Sequence, residues 1–268
     1  MFKPSSYFAV ALAETGKWLA VAEDPDKLRI VNPRNPGDAR SVPVGGEVVD
    51  ITFMPDTQSA LLEVAVNGVP PLVESTPMTN EHTRIVLVDL TAGRVAWSYD
   101  LPKSQAGPTW KAISAPGNRI AIGGENRQGV VLDTLSGREL IKIDFSALVR
   151  SAAFDPSGNR VAFGSADGVV QFVDVDTKRV VGVIRSQGDV WRVAFVGFGA
   201  FLAVESDQSL DVFATNPFGL LCQKDGRNLS NAEWSDVGGR WSPPVSCQNW
   251  RQSDKMPTSV ERMKSTGD

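Results

Sequence analysis

Three glycines, Gly117, Gly158 and Gly199, fall 41 residues apart (158 − 117 and 199 − 158), and so do Asp133 and Asp174 (174 − 133). A fixed period of that length limits the fold more than any single motif. Each copy must be one supersecondary unit that buries its apolar surface against the next. The clearest copy is VRSAAFDPSGNRVAFGSADGVVQFVDVDTKRVVGVIRS, residues 149–186. It holds four strand-like pieces, VRSAAF, NRVAFGS, VVQFVDV and RVVGVIR, separated by PSGN, ADG and DTK. Ser157-Gly158-Asn159 tolerates positive φ, and Asp167-Gly168 is a two-residue hairpin signal.

The same grammar recurs in WKAISAPGNRIAIGGENRQGVVLDTLSGRELIKI and in WRVAFVGFGAFLAVESDQSLDVFAT. Two earlier units are weaker: FAVALAETGKWLAVAEDPDKLRIVN, then VDITFMPDTQSALLEVAV continuing at RIVLVDLTAGRVAWSYDL after an insertion at about residues 67–83. Four short antiparallel strands repeated about every forty residues are the sequence form of a β-propeller blade. The expected fold is therefore all-β, a propeller of about five blades over residues 1–215. Small apolar strand residues such as Ala152, Ala153, Val161 and Phe163 fit blades covered on both faces.

These repeats resemble the WD-repeat family, with FDPSGNRVAFGSADGVVQFVDV the nearest match. By that resemblance Asp89, Asp133 and Asp174 occupy the aspartate of the WD dipeptide, and Val88, Leu132 and Val173 stand where its tryptophan would be. No Gly-His dipeptide exists, and the only histidine, His82, falls in the insertion. The family's buried Asp-His-Ser-Trp network therefore cannot form, and apolar packing and turns must hold the blades. Asp167 and Asp207, at matching hairpins, read as turn residues rather than ligands.

The chain then changes character at RNLSNAEWSDVGGRWSPPVSCQNW, residues 227–250. Ser230 followed by Glu233 is a capping box, so a short helix from Asn231 to about Val237 is expected, stopped by Gly238-Gly239. Trp234, Trp241 and Trp250 are anchors large enough to hold a peptide against an existing surface. Residues 216–252 thus read as a latch on the propeller, and the polar 253–268 as a disordered tail. The ending is similar to the close of bacterial WD-repeat proteins attached to STAND-class NTPases, through Arg227, Asn228, Leu229, Ser230, Glu233, Trp234 and Cys247. That resemblance implies sensing or partner binding. No phosphate-binding loop accompanies it: Gly16-Lys17 lacks the earlier glycine such a loop requires.

Charge and cysteine content narrow the function. A net charge of −4 gives no electrostatic reason to approach nucleic acid or an anionic membrane. Cys222 and Cys247, 25 positions apart (247 − 222), lack zinc-ligand spacing and read as reduced thiols of a cytoplasmic, bacterial protein, with a single bridge left open. The start, MFKPSSYFAVALAE, imitates a short secretory signal but aligns with later first strands, so a strand is expected there. No cofactor or metal site is expected. No CxxC or GxSxG appears, and catalysis by carboxylates from separate loops is the one enzymatic route left open.

Recognition is the reading that remains. Counting back four from Phe53, Phe154 and Phe195 gives Val49, Arg150 and Trp191 at one rim, with Trp110 near the corresponding place in the third unit. Arginine and tryptophan combine large contact area with directional bonds, as binding hot spots require. The tryptophans suit inter-blade packing equally well, whereas an arginine is seldom fully buried. The insertion is either a further contact element or a solvated excursion. The expected function is a non-catalytic protein-interaction or sensing scaffold for a protein partner. The alternative is a remnant or split subunit of a larger signalling sensor, self-associating if the ring is incomplete, and an enzyme using acidic loop residues comes third.

Overall fold

A computed structural model describes residues 9–24, 26–66, 82–101 and 109–215. The chain divides into two compact units, residues 1–213 and 214–268. The helix expected after Ser230, the roles of Glu233 and Trp234, both cysteines and the tail lie outside the described residues.

The described residues form nineteen β-strands in five antiparallel meanders, and no helix. Blade 1 is β1 (Val10–Leu12), β2 (Leu19–Asp24), β3 (Lys27–Asn32) and β4 (Asn35–Pro43). Blade 2 is β5 (Glu47–Phe53), β6 (Ser59–Val66), β7 (His82–Asp89) and β8 (Arg94–Asp100). Blade 3 is β9 (Trp110–Ile113), β10 (Arg119–Gly123), β11 (Gln128–Asp133) and β12 (Glu139–Asp144). Blade 4 is β13 (Val149–Phe154), β14 (Arg160–Ser165), β15 (Val169–Asp174) and β16 (Arg179–Arg185). Blade 5 has three described strands, β17 (Val190–Val196), β18 (Phe201–Ser206) and β19 (Leu210–Ala214).

One expectation is corrected here. His82 does not belong to the insertion but opens β7, paired with Val66, because Val66 to Ser59 and His82 to Asp89 form one uninterrupted ladder.

The blades stack in chain order, and side-chain alternation explains how. Successive residues of a strand point to opposite faces. Leu61 and Leu62 are both fully buried, yet Leu62 joins the core between blades 1 and 2 and Leu61 the core between blades 2 and 3. Ile120 and Ile122 face blade 2 while Ala121 faces blade 4. Phe163 faces blade 3 while Ala162 faces blade 5. A strand covered on both sides reads as a continuous apolar run, as β6 (SALLEVAV) and β10 (RIAIG) do.

Turns lock neighbouring blades together. Gly117, Gly158 and Gly199 all have positive φ, between 74° and 86°. A Cβ on each would lie against the previous blade: 3.6 Å from Pro55, 3.1 Å from the Ser114 Cβ, and 2.8 Å from Pro156, respectively. Backbone conformation favours glycine at all three, and close approach adds to that at Gly158 and Gly199, whereas a Cβ at Gly117 would meet Pro55 at ordinary contact distance. The 41-residue period is therefore also the period of an inter-blade contact.

Polar ties reinforce the stack. The Arg40 guanidinium donates to the Thr91 carbonyl at 2.7 Å between blades 1 and 2, and the Tyr99 hydroxyl to Glu139 at 2.7 Å between blades 2 and 3. Arg119 donates to the Gly158 carbonyl at 2.7 Å and pairs with Asp176 at 2.5 Å between blades 3 and 4. The Val193 amide donates to the Ser151 hydroxyl at 2.8 Å between blades 4 and 5.

Candidate functional site

In blades 3 to 5 the first strands lie beside one another, β9 beside β13 and β13 beside β17. Their register carries a repeated irregularity. In β5 the ladder passes from Val48 to Asp50, in β13 from Val149 to Ser151, and in β17 from Val190 to Arg192. Val49, Arg150 and Trp191 are the residues skipped. A bulge re-aims the side chain of its unpaired residue, so counting back four from the recurring phenylalanine (Phe53, Phe154, Phe195) locates a structural device. Trp110 is not its third-blade counterpart. It is paired with Gly123 inside β9, and the position equivalent to Arg150 is Thr109 (150 − 41).

A cleft of about 470 Å³ opens along β9, β13 and β17. Trp110, Lys111, Arg150, Trp191 and Arg192 supply its large side chains, over a floor of small residues such as Ala152 and Ala153. Three of the four rim residues expected from sequence therefore meet at one place, and Val49, exposed on blade 2, does not line the cleft.

The centre of the cleft is a stacked pair. The Arg150 guanidinium carbon sits 4.1 Å from the Trp191 ring centroid, a cation–π arrangement. The Trp191 indole N–H donates to Asp207, and the Asp189 amide donates to the same carboxylate at 3.2 Å. The Arg150 Nη1 lies 3.3 Å from Asp189, within ion-pair distance, but that approach is off the hydrogen-bonding direction and the buried nitrogen has no hydrogen-bond acceptor. Arg192, exposed beside them, carries no hydrogen bond or ion pair among the described residues. Asp207, expected only to shape a turn, thus also orients Trp191.

Behind the cleft lies a charge cluster around a buried Lys111–Glu63 pair, which sequence reading missed. The Lys111 ammonium donates to Glu63 at 2.7 Å and pairs with Asp50 at 2.9 Å, and the Thr109 hydroxyl donates to Glu63 at 2.5 Å. Lys111 and Glu63 side chains are 9% and 7% exposed, so this pair is sealed between blades 2 and 3. Burial alone would raise the Asp50 carboxyl. Lys111 outweighs it and holds Asp50 below the usual aspartate range. The available signal was Glu63 itself, the one charged residue in the apolar run of β6.

The remaining expected positions are structural. Asp89, Asp133 and Asp174 each close the turn between third and fourth strands, accepting the Ala92, Ser136 and Thr177 amides at 2.8 Å. The Ser136 hydroxyl bond to Asp133 and the Thr177 amide bond to Asp174 hold those carboxyls below their ordinary range. Val88, Leu132 and Val173 beside them are fully buried. Asp167 accepts the Ser165 hydroxyl at 2.5 Å and also that of Ser146. Burial pushes its carboxyl up, but these two hydroxyls outweigh that and leave it depressed. Among the described residues no His, Cys, Asp and Glu side chains group as a metal would require, and no helix is long and apolar enough to cross a membrane.

This architecture is that of a β-propeller. The family model described as outer membrane protein assembly factor BamB (PQQ_2) matches residues 81–194, less than half of the chain, from β7 to within β17. Among solved structures, Kuenenia stuttgartiensis hydrazine synthase is similar at 12% identity with a TM-score of 0.53, over 77% of this chain and 70% of that one. No curated protein matches.

Proposed function

We propose that the chain is a non-catalytic protein-interaction scaffold that binds a protein partner through the cleft of β9, β13 and β17. The observation that carries this reading is the Arg150–Trp191 stack, presented by two equivalent bulges and fixed by Asp207. A bulge takes its residue out of the regular alternation and re-aims its side chain, and Trp and Arg are the residue types that dominate binding energy at interfaces. The partial match to a family named for an assembly factor supports a role in protein association. The solved neighbour carries an enzyme's name, but at 12% identity it speaks for the fold alone. The WD-repeat likeness and the sensing role belong to this proposal, as does a cytoplasmic location. The matching family's name refers to the outer membrane, and cell fractionation tests the cytoplasmic location.

The test is affinity capture with the whole chain and with Arg150→Ala/Trp191→Ala. Loss of a partner recovered by the unaltered chain, with the circular dichroism spectrum retained, is the expected result. Undiminished recovery would overturn the reading.

A second reading, a propeller completed by another chain, is favoured by the outward side of blade 1, where Val10 and Leu12 are 57% and 61% exposed. It predicts a mass by light scattering that rises with concentration. A constant monomeric mass over the same range counts against it.

A further inference from the structure

We infer that the partner reaches the cleft as an acidic segment, placing a carboxylate on Arg150 and Arg192 with an apolar or aromatic neighbour against Trp110. The inference rests on the proposed binding role and names the chemistry of what is bound.

Donors line the cleft, and the neighbouring carboxylates stand outside its lining. Its charged lining residues are Lys111, Arg150 and Arg192, with no acidic residue among them. The carboxylates that balance Lys111 stand away from the lining, Glu63 in the blade 2–3 interface and Asp50 on β5. Asp207 is engaged by the Trp191 indole and the Asp189 amide. Two cationic groups keep bonding capacity: Arg150, whose ion pair with Asp189 at 3.3 Å leaves Nη1 without a hydrogen-bond acceptor, and Arg192, whose side chain has no hydrogen bond or ion pair among the described residues. A guanidinium with unused donors is stabilised by any group that supplies acceptors to them. A carboxylate does so with a planar pair of oxygens that matches the guanidinium fork. The stack on Trp191 holds the Arg150 fork in place before binding, which lowers the ordering cost of the encounter. The apolar floor at Ala152 and Ala153 and the half-buried Trp110 ring give a side chain adjoining the carboxylate a surface to cover. A free inorganic anion would use the guanidinium groups and leave the floor and Trp110 unoccupied. The combination therefore fits a peptide rather than an ion.

The probe is a fluorescein-labelled peptide of alternating glutamate and phenylalanine, compared by fluorescence anisotropy with its glutamine–phenylalanine counterpart on the whole chain. The glutamate peptide is expected to bind at least about tenfold more tightly, the scale of one charge-assisted hydrogen bond. Arg150→Ala should remove most of that preference and Arg150→Lys part of it, since lysine keeps the charge but loses the fork. Arg192→Ala, at an exposed residue whose loss leaves the packing untouched, should independently weaken the glutamate peptide and spare the glutamine one. Equal binding of the two peptides, no binding of either, or full displacement by inorganic phosphate at matched charge would each overturn the inference. If partner capture still requires Arg150 and Trp191 while the peptides show no acidic preference, the binding role stands and this assignment of its ligand fails.

Discussion

The second strands of blades 2 and 4 and those of blades 1 and 5 are built from similar residues but live in different surroundings. In β6 and β14 nearly every residue is buried, with consecutive side chains divided between two cores. In β2 and β18 burial alternates: Ala20, Leu202 and Val204 are covered, while Leu19, Val21, Phe201 and Ala203 are half-exposed. LAVAED and FLAVES are no more polar than RVAFGS. What differs is the presence of a neighbouring sheet, so burial here is a property of position in the stack.

Core truncations should show the largest contrast. Leu61→Ala and Leu62→Ala each remove a fully buried side chain from a different inter-blade core, and each should cost about 2–5 kcal/mol in urea unfolding. Leu12→Ala on the outward side of blade 1 should change stability by less than about 0.5 kcal/mol. A Leu12 effect as large as that of Leu61 would mean that another surface covers blade 1 in solution.

Ion pairs divide the same way. Glu63→Gln would leave Lys111 with the half-exposed Asp50 as its one carboxylate partner among the described residues and should cost up to about 3 kcal/mol. Glu23 pairs with Arg29 at 2.5 Å, and Arg29 shares the uncovered face with Val21. Glu23→Gln should cost no more than about 1 kcal/mol, because water screens that pair. Comparable losses from both substitutions would erase the distinction between covered and open blades.

Glycine replacements separate conformation from contact. Gly16 has a φ of 64° with open space where a Cβ would go, whereas Gly158 combines a φ of 74° with a Ser114 Cβ at 3.1 Å. Gly16→Ala should cost about 1 kcal/mol from backbone strain alone. Gly158→Ala should cost more, because the neighbouring blade must also shift. Equal losses would show that the turns do not transmit contact between blades.

The repeat made the blades legible, because the turns that end strands are local chemistry: Gly117, Gly158 and Gly199 mark the same hairpin in three units. It also led to Arg150 and Trp191, since a bulge repeats at a fixed distance from the phenylalanine that follows it. Trp110, expected only near the corresponding place, lies one residue beyond it. Blade 3 begins its ladder at Trp110 itself, which puts Thr109 in the bulge position. The Glu63–Lys111 pair was out of reach for a different reason. Its members are 48 residues apart in different blades, and only packing places them together. The uncovered side of blade 1 was equally hidden, since nothing in VAL or LAVAED states whether a sheet stands beside it.

The smallest predicted effect concerns the turn aspartates, which are alike in blades 3 and 4 and so provide a control for the comparison. The Asp133 and Asp174 carboxylates accept turn bonds from Ser136 and Thr177 and are held below their ordinary range, whereas in the unfolded chain each titrates near 3.9. A depressed folded-state value means that the folded chain binds fewer protons, so the contribution is full above the unfolded value and is lost as pH falls through the folded one. Unfolding midpoints followed from neutral pH into acid should therefore decline below about pH 4, and Asp133→Asn/Asp174→Asn should flatten that decline. Both turns are solvent-exposed, so the change should be slight beside that of Leu61→Ala. A pH dependence unaltered by the double substitution would mean that the turn bonds are equally strong to the protonated carboxyl, and that the blade corners owe their stability to backbone geometry alone.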